Sequence, residues 1–345
     1  MIPARSVGGQ SVRQYAVVRP CYSFTMTQPL DPQSAGAVLM VRPAHFSFNP
    51  ETAPSNAFQA ATSPKPAEGS AQEAALREFD GLAACLERAG IEVIVAADTS
   101  EPVKPDALFP NNWVSFHYDG TVALYPMLAP NRRWERREEV VRQVTRDGGY
   151  RTTRTVDLSH REQEGKFLEG TGSLVLDRTH RVAYAGLSPR TDLDVLGEFA
   201  QLLDYDLVTF DAVDGAGQPV YHTNVLMAVG TGFAVLCTEA IAKPVHRSAV
   251  VQKLRATGHE VLEISLSQMQ QFASNLLELA PASGTVIALS STAWRSLKAE
   301  QRRLLERHGT VVAADIPVIE RVGGGGVRCM LAEVHLPKLR LASMA

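Results

Sequence analysis

A chain of 345 residues, 45% apolar and 21% charged, holds enough hydrophobic material for one large or two smaller globular domains. Its formal charge of −3 leaves no basic excess to neutralise many phosphates, so a small-molecule substrate is expected rather than nucleic acid. The four cysteines, Cys21, Cys85, Cys237 and Cys329, lack CxxC spacing, and no apolar run approaches the roughly 18 residues of a membrane span. With no apolar signal region at the start either, the chain is expected to be cytoplasmic, free of membrane contact, and without a metal centre or disulfide framework.

Residues 1–35 contain Arg5, Arg13 and Arg19, no acidic residue before Asp31 and no periodicity, and read as an unstructured extension. One catalytic domain is expected over residues 36–338. It opens with a strand at 37–42. An irregular stretch at 49–69, rich in Ala, Pro, Ser and Thr, is either a cover over a site or a long connection. A helix over 71–89 and a strand over 91–96 follow. From there the apolar pattern cycles through a strand pair, a helix and a further strand. The first cycle takes strands at 113–117 and 122–125, a charged helix at 132–147 and a strand at 151–157. The second takes 173–176, 182–185, helix 192–203 and 207–210. The third takes 224–229, 232–237, helix 246–257 and 260–264, and the fourth 275–279, 285–289, helix 293–308 and 310–314. A last strand at 329–335 belongs with the strand and helix near the N-terminus, giving a fifth ββαβ unit shared by both ends of the chain.

Polar residues stand ahead of each strand pair: Asn112, Glu169, His222 with Asn224, Asn275 and Cys329, recurring about every 53 residues from Glu169 onward. A repeated unit that offers one such residue per copy predicts a shared centre, here a five-bladed, pseudo-fivefold α/β propeller closed by both termini. An open α/β sheet is the plainer alternative.

Isolated cysteines are ordinarily small buried hydrophobes, which is the expectation for Cys85 and Cys237. Cys329 differs because it follows Gly323-Gly324-Gly325-Gly326, a run that lets the backbone wrap closely around a ligand and lacks the Lys-Ser/Thr ending of a phosphate loop. A nucleophilic thiol needs a proton carrier, and His222 is the candidate; in a strand it shares a face with Asn224. Taken alone, His222 reads as a satisfied core residue. The other histidines, at 45, 117, 160, 180, 246, 259, 308 and 335, are expected to be solvated or capping. Glu169, in Phe167-Leu168-Glu169-Gly170-Thr171-Gly172, is placed to accept N–H groups of a substrate, or else is a surface turn residue.

In the segments Phe109-Pro110-Asn111-Asn112-Trp113-Val114-Ser115-Phe116-His117 and Phe167-Leu168-Glu169-Gly170-Thr171-Gly172-Ser173, the chain resembles the guanidine-modifying, or pentein, superfamily. Within it the wording is most similar to the bacterial citrulline-utilisation hydrolase branch, over about residues 36–338. The resemblance implies a five-bladed α/β propeller, no cofactor, Cys329 as nucleophile, His222 as general acid/base and Glu169 as the substrate-holding carboxylate. It also implies that Arg190, in Ser188-Pro189-Arg190-Thr191, and Arg132, in Arg132-Arg133-Trp134-Glu135, contact a substrate carboxylate. Arg132 alone reads as one more charge on a helix surface. A homodimer is a further expectation.

Members acting on guanidinium groups commonly carry acidic residues where this chain has Asn112, Asn224 and Gly172. Leaving a buried guanidinium without its carboxylate costs on the order of 3–5 kcal/mol. A neutral ureido group instead offers a carbonyl and N–H groups that Asn112 and Asn224 complement. Citrulline is therefore the expected substrate. The alternatives are an arginine deiminase or a succinylarginine dihydrolase-like enzyme and, from another class, a non-catalytic binding protein.

Overall fold

The computed structural model describes residues 31–60 and 70–339. The expected extension over 1–30, with Cys21, lies outside the described residues, as do positions 61–69 of the irregular stretch.

Strand β1 (Ala37–Arg42) leads through a helix (Ala71–Arg88) to β2 (Glu92–Ala97). Ser70 caps that helix reciprocally with Glu73: the Glu73 N–H donates to Ser70 Oγ (3.2 Å) and the Ser70 N–H to Glu73 Oε2 (2.8 Å). Its buried face carries Ala75, Phe79, Leu82 and Leu86 at helical spacing. Each fully buried Leu or Phe contributes about 1.5–3 kcal/mol.

The first sheet then holds β3 (Val114–Phe116), β4 (Thr121–Leu124) and β5 (Arg154–Asp157), and the second β6 (Val175–Asp177), β7 (Val182–Leu187) and β8 (Asp206–Asp211). The third holds β9 (Met227–Val229), β10 (Phe233–Leu236) and β11 (Glu260–Glu263), and the fourth β12 (Leu277–Leu279), β13 (Val286–Ser290) and β14 (Thr310–Ala314). The fifth orders β15 (Ala332–Glu333) beside β1 and β2, so the two ends of the chain share one sheet as expected. All five have one grammar: an antiparallel pair, then a parallel partner reached through a connection.

Several expected elements are shorter than their apolar pattern. Strands expected to start at 173, 224, 275 and 329 begin instead at Val175, Met227, Leu277 and Ala332, each after a tight turn. Hence His222 and Asn224 do not share a strand face; His222 stands before, and Asn224 inside, the 3-10 turn Thr223–Val225 that precedes β9. The helix expected at 132–147 divides into Pro130–Arg133 and Glu138–Arg142, continued by a π-turn at Gln143–Asp147. The one at 293–308 breaks into Ser291–Ser296 and Ala299–His308, where Gln301 Oε1 accepts the Lys298 N–H (2.8 Å) and restarts the helix.

Residues 31–35, expected to belong to the extension, are packed into the body. The Gln33 side-chain amide donates to the carbonyls of Leu176 (2.9 Å) and Val229 (3.1 Å) and accepts from the Arg178 N–H (2.7 Å), tying the second and third sheets together. Ala35 O accepts the Ala280 N–H beyond β12 (2.9 Å). Among the described residues no helix is long and apolar enough to cross a membrane.

Candidate active site

The turns that shorten the strands carry the polar residues. Asn112 ends the 3-10 turn Pro110–Asn112, Glu169 and His222 stand at the start of Gly170–Ser173 and Thr223–Val225, and Cys329 lies inside Val327–Met330. Asn275 closes a turn in which its N–H donates to Phe272 O (2.8 Å). A helical turn before a strand aims one side chain away from the sheet, and repeating it in sheet after sheet delivers these side chains to one region.

Glu169 is the hub of the charges. Its Oε2 lies 2.8 Å from His222 Nε2, 3.3 Å from Arg190 Nη1 and 3.8 Å from Arg132 Nη1, while Oε1 accepts the Leu128 N–H (3.1 Å). Complete burial pushes this carboxyl up, but Arg190, His222 and Arg132 outweigh burial and hold it well below the usual carboxylate range. Burial and the two arginines push the His222 imidazole down to about 4 despite Glu169, so it is neutral at pH 7. The surface alternative for Glu169 is thereby excluded: its exposure is 0%.

Arg132 is also buried, at 2% exposure, not on a charged helix face. Its fork is filled by Glu135 (Nε and Nη2, both 2.9 Å), and its Nη1 donates to Asn112 Oδ1 (2.9 Å). That bond fixes the Asn112 amide, leaving the buried Nδ2 without a partner. Arg190 has neutral partners besides Glu169: Ser55 Oγ (2.8 and 3.0 Å) and Thr52 O (3.0 Å), with its guanidinium 5.0 Å above the Tyr221 ring.

The Cys329 thiol is bonded to amides. Asn275 Nδ2 lies 3.3 Å and Asn224 Nδ2 3.7 Å from Sγ, and Asn275 Nδ2 also donates to Asn224 O (3.2 Å). Burial pushes the thiol up, against these amides and Arg328, so the resting pair is a thiol and a neutral imidazole. His222 is not among the hydrogen-bond partners of Sγ; both residues line one small, nearly closed cavity with Asn112, Asp106, Arg132, Arg190, Tyr221 and the glycines 323–325. Cβ atoms on those glycines would fall 2.9 Å or less from Phe109, Gln59 and Asn56. Glycine is required there by close packing. Gly172 has the same character: a Cβ would stand 2.5 Å from Asn112 Nδ2 and 2.7 Å from His222 Nδ1.

Every residue singled out from the sequence is thus brought together, although Asn224 and Asn275 serve the thiol directly. Sequence reasoning missed Asp106, Glu135 and Tyr221. Asp106 is 2% exposed; its Oδ2 accepts from Asn49 (2.7 Å) and Thr52 (3.1 Å), and its Oδ1 has no partner. None of the three sits at a repeat position, so no periodic signal marks them. Tyr221 Oη donates to Gly324 O (2.6 Å), fastening the glycine loop. The histidines 117, 259 and 335, expected to be solvated or capping, are buried.

Comparison with known proteins places this geometry. The N-terminal domain of ArgZ, an arginine dihydrolase of the cyanobacterial ornithine–ammonia cycle solved with substrate bound, is 19% identical over 88% of this chain and 99% of its own, with a TM-score of 0.67. AgrE in complex with L-arginine is 18% identical over 88% of this chain and 41% of its own, also at 0.67. A dimethylarginine dimethylaminohydrolase bearing an S-methyl-L-thiocitrulline adduct is 14% identical over 86% of this chain and 99% of its own, at 0.59. At such identities the likeness is one of fold, the α/β fold of the penteins. Curated proteins give no match. The model of the family described as N,N dimethylarginine dimethylhydrolase, eukaryotic, matches residues 42–336, and the chain belongs to that family of C–N hydrolases.

Proposed function

We propose that this enzyme hydrolyses the ureido group of citrulline to ornithine, carbon dioxide and ammonia, with the five sheets as blades of a closed propeller and the site on its axis. The observation that carries the reading is the Asn112 amide. Because Arg132 Nη1 holds its Oδ1, the unpartnered end is Nδ2, a donor. A ureido carbonyl accepts from a donor; a guanidinium has only N–H groups to offer. Around Cys329 Sγ the partners are likewise amides, Asn275 and Asn224.

In this reading Cys329 attacks the ureido carbon after losing its proton, with neutral His222 as the base. His222 then hands the proton to the departing ornithine nitrogen as the C–N bond breaks, leaving an S-carbamoyl enzyme. Water, deprotonated by His222, attacks that carbonyl, the C–S bond breaks, the thiol recovers its proton, and the carbamic acid released falls apart into carbon dioxide and ammonia. Glu169, fixed by Arg190, accepts the remaining substrate N–H groups. Arg190 exchanges the neutral oxygens of Ser55 and Thr52 for the substrate carboxylate, and the bare Oδ1 of Asp106 takes the substrate ammonium. Arg132, spent on Glu135, acts by orienting Asn112 rather than as a carboxylate clamp.

Hydrolysis of arginine is the competing reading, favoured by the negative charges of Glu169 and Asp106 and by the L-arginine complex of AgrE. Ornithine and ammonia release from L-citrulline, measured beside citrulline or ornithine release from L-arginine with wild type and Cys329→Ala, separates the two. Citrulline turnover abolished by Cys329→Ala supports the proposal. Preferential turnover of arginine refutes it. Silence on both, with no protection of the thiol from alkylation by either amino acid, points to a binding protein.

A further inference from the structure

We propose that Asp177, His180 and His259 form a binding site for a divalent transition-metal ion of the zinc class, clipping the second sheet to the third. Asp177 ends β6, His180 lies in the turn to β7, and His259 precedes β11, so the cluster joins two sheets at the far end of β6 from the Gly170–Ser173 turn. One ligand atom from each residue lies within 4.8 Å of the others. His180 Nδ1 is 2.9 and 3.0 Å from the two Asp177 oxygens, and His259 Nε2 is 3.9 Å from Asp177 Oδ2. Ligand atoms bound to zinc at about 2.0–2.1 Å stand about 3.3 Å apart in a tetrahedron. Shifts of less than about an ångström convert one arrangement into the other.

Two further features point to a cation. Asp177 is 1% exposed, and among the described residues its ion-pair partners are only the two imidazoles. A dication held between the three side chains compensates the buried carboxylate directly. His259 is oriented from behind: Nδ1 lies 2.9 Å from Thr257 Oγ1 and 3.2 Å from Leu254 O. When Nδ1–H donates to the Leu254 carbonyl, Nε2 presents its lone pair to the cluster, 3.1 Å from Gly230 O; the other tautomer donates Nε2–H to Gly230 O and gives up that bond when a cation is bound. Two imidazoles with one carboxylate select zinc over magnesium or calcium, with Gly230 O or water completing four ligands.

The test uses the full chain carrying Cys329→Ser, which removes the thiol as a competing ligand. The protein is stripped with chelator and titrated with Zn²⁺ against a chromophoric chelator, and Co²⁺ is added separately to read its d–d absorption. One equivalent of Zn²⁺ is expected, with a higher thermal midpoint in its presence. His180 is partly exposed and its replacement leaves the core intact, so His180→Ala should weaken binding on the order of 100-fold and abolish the thermal shift. Absence of stoichiometric binding, or binding and a thermal shift undiminished by His180→Ala, overturns the site.

Discussion

Asn112→Asp tests the polarity argument at its narrowest point. The substitution keeps the shape of the side chain and keeps an oxygen 2.9 Å from Arg132 Nη1, but turns the unpartnered donor into a second acceptor. The new carboxylate beside a guanidinium stays ionised at neutral pH. For citrulline, the lost hydrogen bond costs about 1 kcal/mol and a carbonyl left facing an acceptor about 1–3 kcal/mol more. Together that is a fall of roughly 30- to 1000-fold in kcat/KM, since each 1.4 kcal/mol is tenfold. For arginine the sign reverses. A charge-assisted bond contributes about 1.5–3 kcal/mol, less whatever Arg132 withdraws, so arginine should bind more tightly to the variant than to wild type. The assay is a pair of kcat/KM values, one per substrate, with inhibition of citrulline turnover by arginine as the measure of binding. A variant that keeps citrulline kcat/KM within threefold of wild type, or in which arginine inhibits no better, refutes the argument that Asn112 reads a ureido oxygen.

Three other perturbations reach different parts of the site. Asn275→Ala removes the amide 3.3 Å from Cys329 Sγ, which favours the thiolate, so the thiol pKa should rise further, read as an upward shift in the pH profile of iodoacetamide alkylation. An unmoved profile in a folded variant excludes Asn275 as a support of the thiolate. Gly172→Ala sets a methyl 2.5 Å from Asn112 Nδ2 and 2.7 Å from His222 Nδ1, and should lower kcat/KM on the order of 100-fold while the far-ultraviolet circular dichroism stays unchanged; near-wild-type kcat/KM would show that those side chains need not hold their positions. Acid should destabilise the fold early. Burial pushes His222 and His335 each down to about 4. In each case the unfolded chain binds the proton first, so stability is full above about pH 6.5 and falls as pH drops towards 4, by about 3 kcal/mol per residue. Urea unfolding at pH 7, 5.5 and 4 reads this, and a flat stability between pH 7 and 5 contradicts it.

The sequence was legible where chemistry and repetition coincide. Glu169, His222 and Cys329 stand at corresponding places in successive units, and a periodic polar residue among apolar strands has few structural explanations. The ββαβ grammar was legible for the same reason, down to the sheet shared by β15 and β1. Tight turns were not. Apolar residues such as Val225, Leu226 and Leu331 continue the alternation of the strands they precede, while the backbone already bonds locally, as in Leu226 N–H to Thr223 O at 3.1 Å. Pattern alone does not distinguish a strand's first residues from a turn that packs on the same core. Electrostatic partners were hidden by distance along the chain: nothing at Asp106 foretells Arg132, and nothing in Arg132-Arg133-Trp134-Glu135 says which arginine turns inward.

That inward turn decides more than a contact. Arg132 is buried with Glu135, Asp106 and Glu169 near it, and the three carboxylates outweigh burial and hold its guanidinium charged. Replacing such a cluster by apolar residues would commonly stabilise a fold, because desolvation of the ions offsets their attraction. What the cluster supplies here is direction. With Glu135 filling the fork, Nη1 is left for Asn112 Oδ1, and a side-chain amide that is free to flip elsewhere has one orientation at the cavity. Under the proposed citrulline reading, the neutral residue that tells a ureido from a guanidinium group owes its discrimination to a charged one behind it, and that reading makes the Arg132–Glu135 pair as decisive for substrate choice as Asn112.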